Sequence, residues 1–385
     1  MAGHRTLEIT TNFIFSMKIS NLHKTIALIA LSVVTTSTAL SAREIWTAGH
    51  IDIRVNYGEE GWIIDLHHEE LGSRSTEDVV LWVRGGDWSN SLGARWQMPD
   101  DNTFSFIGVQ AGEPFWMLPN TEASWLVWPG FAVEDTDNHW FHSYVESDSR
   151  VSDTAAQWVT IDLLEVDFQG VGAGELSMWQ PGPNLFWSTH AEPSEGNRYY
   201  IFRGAHSHMN WAFSQPGLYT IDIQASALLA NDPEERVFSD PVSIQFYVDP
   251  YGLWVHEHFT VEAEADGQAD LSQDPFDTGI PNALAYAFGH DPRLPLDPNY
   301  PQLSVMNERI AYEFPIRTFL GLGSLVIDHS DDLADWQPIA ALTGEKAYET
   351  FDPAAEIQLL ENDKVRLLLD PIQGDRNFLR LRFEK

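Results

Sequence analysis

Apolar and polar residues alternate with a period of two over 45–55, 61–67 and 79–83, and again over 158–168, 175–179, 199–202, 219–225 and 242–248. That period sets one face of a strand on a core and leaves the other in water. Turn residues separate the runs, and no helical stretch is interleaved between 44 and 249, which predicts an antiparallel sandwich rather than an α/β sheet. The string Q-P-G-L-Y-T at 215–220 reads as a turn feeding a strand, and 242–248 as the strand that closes this block. A second unit begins near Tyr251. Residues 251–301 read as a linker with one short helix, 282–288, stopped by Gly289. Strands resume at 309–314, 323–328, 357–359, 365–369 and 378–383, giving a small C-terminal β domain over 302–385.

The expected fold class is therefore all-β: an immunoglobulin-like antiparallel β-sandwich over 43–250, followed by a smaller β domain with one short helix. Composition agrees. At 385 residues the chain exceeds one ordinary domain, and 43% hydrophobic with 12% aromatic residues supply ample core. The 15 Trp and 21 Phe suit a pleated, half-buried surface, and 26 Gly and 21 Pro punctuate many short strands.

Charge narrows the partners. The 57 acidic residues outweigh 22 basic ones for a formal net charge of -35, a field that repels nucleic acid and anionic lipid. After Lys24 the only lysines are Lys346, Lys364 and Lys385. This reads as a solubilising surface, with a diffuse divalent-cation sponge as the alternative. Having no cysteine, the chain has no disulfides, thiolate metal sites or Cys nucleophiles. Residues 1–42 read as a signal peptide whose start is Met17: a basic n-region at 17–24, the apolar h-region T-I-A-L-I-A-L-S-V-V at 25–34, then small residues. Cleavage is expected between Leu40 and Arg43, giving an exported protein at the cell surface, outside the cell or in the periplasm. No second apolar run approaches the roughly 20 residues that span a bilayer, so the mature chain is not expected to be membrane-spanning.

Several strings then coincide in order: G-H-I-D at 49–52, D-V-V-L-W-V at 78–83, F-S-F-I-G at 104–108, E-P-F-W-M-L-P-N at 113–120, and G-A-H-S-H-M-N-W-A-F at 204–213 running into 215–220. Over residues 44–250 they resemble the choice-of-anchor M domains, related to the actinobacterial surface-anchored protein domain. The resemblance implies an exported protein tethered at the cell envelope. Some relatives are encoded beside metal-type importers, which implies metal handling. The strings G-I-P-N-A-L-A-Y-A-F-G-H-D-P at 279–292 and D-H-S-D-D-L-A-D-W at 328–336 resemble tail domains of exported Verrucomicrobia-like proteins. There, the loop before Pro-Asn often carries a calcium-binding D-x-D-x-D-G. Here Asp274 holds the first position but Phe276 and Thr278 replace the next two, so calcium is not expected.

His50 and Asp52 stand at i and i+2 on an expected strand and share a face; His206 and His208 stand in the same relation. Brought side by side, the two pairs would offer up to four N and O ligands, enough for a tetrahedral zinc site, with His67 or His68 adding or replacing one. His190 is a further candidate. Without cysteine, a His/carboxylate set is the transition-metal option left. The competing reading makes these histidines a polar network capping strand ends. No G-x-S-x-G elbow, phosphate loop, dinucleotide fingerprint or H-E-x-x-H helix is present, so no enzyme is expected. The expected function is an exported binding protein whose partner is a metal ion or surface ligand, such as a cell-envelope component. The alternatives are a glycan-binding or adhesive module, stacking sugars on Trp88, Trp96, Trp125 or Trp128, and a structural surface protein.

Overall fold

The computed structural model describes residues 43–384 apart from 145–147, 152, 183, 296–301, 308, 318–322, 331, 344–346, 362 and 371–377, and before them the dipeptide Ile9–Thr10. The n-region, h-region and cleavage window of the expected signal peptide lie outside the described residues up to 42. Two compact units are found, Leu40–Leu253 and one containing Trp254–Lys385.

The larger unit is all-β. Its first sheet contains β1 (Gly49–Gly58), β2 (Gly61–His68), β3 (Gly72–Arg74), β4 (Val127–Ala132) and β5 (His206–His208) in the order β5-β4-β1-β2-β3. A second sheet orders Arg198–Phe202, Trp158–Gly170, Gly217–Leu229, Val242–Val248, Val79–Val83 and Glu44–Trp46, with Asp232–Phe238 paired to Gly217–Leu229. A third runs Asn184–Ser188, Leu176–Gln180, Asn210–Phe213, Pro114–Leu118, Arg95–Gln97. Strand alternation explains the packing. In β1, Ile51, Ile53 and Val55 are buried while His50, Asp52 and Arg54 lie on the partly exposed face. Ile51, Ile53 and Val55 join Phe131, Ile161, Ile221, Leu118, Met178 and Trp211 in one core drawn from all three sheets. Each fully buried aliphatic side chain contributes about 1.5–3 kcal/mol before entropy is counted.

Two features differ from the simple antiparallel sandwich. Among the described residues three sheets, not two, line the core, and three strand pairings are parallel: β1 with β4, Glu44–Trp46 with Val79–Val83, and Val79–Val83 with Val242–Val248. Parallel partners require long connections, and alternation along one strand carries no information about a partner far away in sequence.

In the second unit, Gln302–Met306, Arg309–Pro315, Lys364–Leu369 and Ala355–Leu360 form one sheet in that order, and Phe378–Glu384, Ser324–Ser330, Gln337–Thr343 and Ala347–Thr350 are consecutive neighbours in another. Among its described residues the 251–301 region contains three helices instead of one: Tyr251–His258, Val261–Ala265 and Asn282–Ala287. The second is started by Thr260, whose hydroxyl accepts from Ala263 N at 3.2 Å, with Glu262 and Glu264 at its positive end. None of the described helices is long and apolar enough to cross a membrane.

The 274–282 loop is closed by its own donors. Asp274 Oδ1 accepts from Thr278 N at 3.0 Å and from Thr278 Oγ1 at 3.1 Å, while Oδ2 accepts from Gly279 N at 2.7 Å. Both carboxylate oxygens are thereby committed to the turn. Replacing Asp274 by Ala should cost about 1–3 kcal/mol through the freed amides. Calcium titrated into the wild-type protein should leave the same transition where it is. A calcium-dependent rise of several degrees would show instead that the loop binds the ion.

Candidate metal centre

The register places the two histidine pairs on one surface. Parallel pairing sets His50 against Trp128 and Asp52 against Gly130, while antiparallel pairing sets His208 against Gly130 and His206 against Ala132. Strands β1 and β5 are therefore two strand spacings apart, about 9.5 Å, with β4 between them. Imidazoles are long enough to meet above β4 because Gly130 has no side chain there. A Cβ at that position would lie 2.7 Å from His208 Nδ1 and 2.7 Å from the Ser207 carbonyl oxygen. A glycine inside a strand marks this kind of close approach.

Above Gly130 the donor atoms converge. His50 Nε2 is 3.1 Å from both His206 Nε2 and His208 Nε2, and the last two are 2.9 Å apart. Asp52 Oδ1 lies 2.8 Å from His206 Nε2 and 3.3 Å from His50 Nε2. All four ligand atoms fall within 4.8 Å of one another. Ligands held 2.0–2.1 Å from a tetrahedral zinc stand about 3.3–3.4 Å apart, slightly wider than this set. Three imidazole nitrogens facing one point cannot all be satisfied by hydrogen bonds among themselves, since each presents either a lone pair or an N–H to the same centre. Asp52 Oδ1 is buried and makes no hydrogen bond of normal geometry. A cation at the centre resolves all of these contacts together.

The surroundings suit that role. The His208 ring stacks on Trp128 at 3.6 Å between centroids and 9° between planes, which fixes its orientation. Burial first, then the neighbouring His206 and His50, push its pKa down to about 3 against an upward pull from the Pro129 carbonyl. His208 is thus held in the neutral form that metals require. Arg54, two residues beyond Asp52 on the same face, is paired to Asp65, with Nε donating to Oδ1 at 2.7 Å, so its charge is offset. Side-chain exposures of 24% for His50 and 25% for His206 leave the cluster open to an arriving ion.

The depressed His208 pKa has a sign that can be tested on metal-free protein. An unfolded histidine titrates near 6.5, so nothing is lost above that pH. Below it the unfolded chain takes up a proton that folded His208 refuses, and stability falls as the pH drops from about 6.5 toward 3. Urea unfolding at pH 7.5 and 5 should show this decline, and His208→Gln should flatten it. An equal slope in the variant would remove His208 as its source.

The other histidine candidates are placed elsewhere. His68 pairs with Ile51 and turns to the buried side, where Nε2 contacts the Ala48 carbonyl at 2.9 Å and Nδ1 accepts from Glu70 N at 3.0 Å. His67 pairs with Asp52 and shares its face, but its Nδ1 contacts Ser73 Oγ at 3.1 Å and it stands outside the four-residue group. His190 is exposed beside Gly108. Of the tryptophans considered as sugar platforms, Trp88 stacks on Trp96 at 4.5 Å and packs against Trp125 at 5.2 Å, while Trp128 covers the histidine cluster.

No family model matches the chain, and no curated protein resembles it. Among solved structures, the secreted serine protease VesC from Vibrio cholerae aligns over 58% of this chain and 46% of its own length, at 8% identity and a TM-score of 0.14. A structure described as manganese lipoxygenase of Gaeumannomyces graminis with part of zonadhesin of Komagataella pastoris aligns over 63% and 74%, at 11% identity and a TM-score of 0.10. Similarity at that level carries no argument about fold or chemistry.

Proposed function

We propose that this chain is an exported metal-binding protein that holds one divalent transition ion, zinc by its donor set, on His50, Asp52, His206 and His208. The observation that carries the reading is the convergence of three Nε2 atoms at 2.9–3.1 Å with the Asp52 carboxylate at 2.8 Å from one of them. Export is supported by the leader pattern of residues 1–42, and a place at the cell envelope by the motif resemblance over 44–250. Four protein ligands fill a tetrahedral shell, whereas catalytic zinc keeps an open position. This favours binding of the ion above catalysis. Metal capture needs neutral imidazoles, so affinity falls as the pH drops below the ordinary histidine range near 6.5.

Elemental mass spectrometry of the purified protein, with calorimetric titration of the metal-free form, tests the proposal. One equivalent of zinc, lost when His206 and His208 are both replaced by Ala, is the expected result. Absence of any stoichiometric transition metal under both conditions would sink it.

A further inference from the structure

The third sheet of the larger unit has two apolar faces. Trp116, Leu118, Met178 and Trp211 pack into the main core. The residues that alternate with them, Phe115, Trp179 and Ala212, belong to a separate cluster with Met98, Phe106 and Ile107. Beside this second cluster lies a cavity of about 460 Å³, walled by Trp96, Phe104, Ile107, Phe115, Met117 and Trp179. That volume is within the range of small-molecule sites, which are mostly apolar with a few placed polar groups.

We infer that this cavity is a binding site for an uncharged, largely apolar molecule of two or three rings, separate from the metal centre. Charge excludes the ionic alternatives. In a chain of net charge -35, none of the described lining residues is charged. A buried apolar wall disfavours an ion, and no counter-charge is supplied.

Hydrogen bonding separates an apolar ring from a sugar. A sugar needs several free donors and acceptors, but the wall is mostly apolar and two of its three side-chain amides are already engaged in part or in full. Asn210 Oδ1 accepts from Asn120 N at 2.9 Å, and Asn210 Nδ2 donates to the Trp179 carbonyl at 3.4 Å. Gln97 Nε2 donates to the Gly112 carbonyl at 3.0 Å. Trp96 Nε1 is buried, so the indole offers the cavity ring surface rather than a donor. Trp96 is also backed by Trp88, stacked at 4.5 Å and 24°, which fixes the ring as a rigid wall.

The test uses the neutral fluorophore N-phenyl-1-naphthylamine with the full chain. Its fluorescence should rise and saturate at one equivalent. Thr103 and Gln97 are exposed lining residues, so Thr103→Trp and, independently, Gln97→Trp should fill the cavity without disturbing the core. Each should weaken the probe at least tenfold while leaving circular dichroism and zinc titration unchanged, and either variant suffices if the other does not fold. Methyl glucoside should not displace the probe. The signal should persist in metal-free protein, so this site stands or falls apart from the metal centre. The inference is overturned if wild-type protein gives no saturable signal, if the folded filled variants bind as tightly as wild type, or if the glucoside competes.

Discussion

Metal-free protein should gain roughly 10 °C in the Tm of its larger unit when zinc is supplied at about a thousandfold excess over its dissociation constant. The arithmetic is linkage: an ion that binds only the folded state adds about 4 kcal/mol at that excess, and a domain of this size shifts by about 2–4 °C per kcal/mol. Replacing both His206 and His208 by Ala leaves two ligands on β1, too few to hold the ion, so the zinc-dependent shift should vanish. The double variant should also be less stable without metal, because His208 no longer stacks on Trp128. The comparison therefore turns on the difference between zinc and chelator within each protein. If the four side chains form only a polar network, wild type and variant differ by the same amount in both conditions. That outcome would remove the metal reading.

Much of this site is legible in the sequence, for a definite reason. His50 with Asp52 and His206 with His208 are each two residues apart, and a strand places such pairs on one face whatever surrounds it. The same rule bears on His67 and His68. Adjacent strand residues face opposite sides, so no more than one could join the cluster, and His68 turned inward. What alternation cannot reveal is which strand lies beside which. His50 and His206 are 156 positions apart, and their meeting depends on β4 lying between β1 and β5. The signal for β4 was present in W-P-G-F at 128–131, where a glycine inside an apolar run marks a close approach. Trp128, considered first as a platform for sugars, is instead the surface against which His208 is fixed. The helix Tyr251–His258 was hidden for another reason. Its apolar residues Leu253, Trp254 and Val255 are consecutive, a run too short to distinguish helix from strand by period.

Gly130→Ala should weaken zinc binding at least a hundredfold while the fold survives. Gly130 is not among the glycines with positive φ, so alanine meets no backbone penalty there. The obstacle is space. Its methyl group would stand 2.7 Å from His208 Nδ1 and 2.8 Å from His208 Cε1, and 2.7 Å from the Ser207 carbonyl oxygen. The imidazole alone cannot relieve this, because one of the close atoms is backbone and the other face of the ring is held by Trp128. Strand β5 has three residues and lies at the edge of its sheet, so it is the element that gives way. Overpacking of this kind costs about 1–3 kcal/mol, which a domain with a core drawn from three sheets can absorb. Metal affinity has no such tolerance. Ligand distances must hold within about 0.2 Å, and moving β5 displaces two of the four donors at once. Titration calorimetry and circular dichroism on the same sample decide it. A folded Gly130→Ala protein that binds zinc as tightly as wild type would show that the ion is not held above β4.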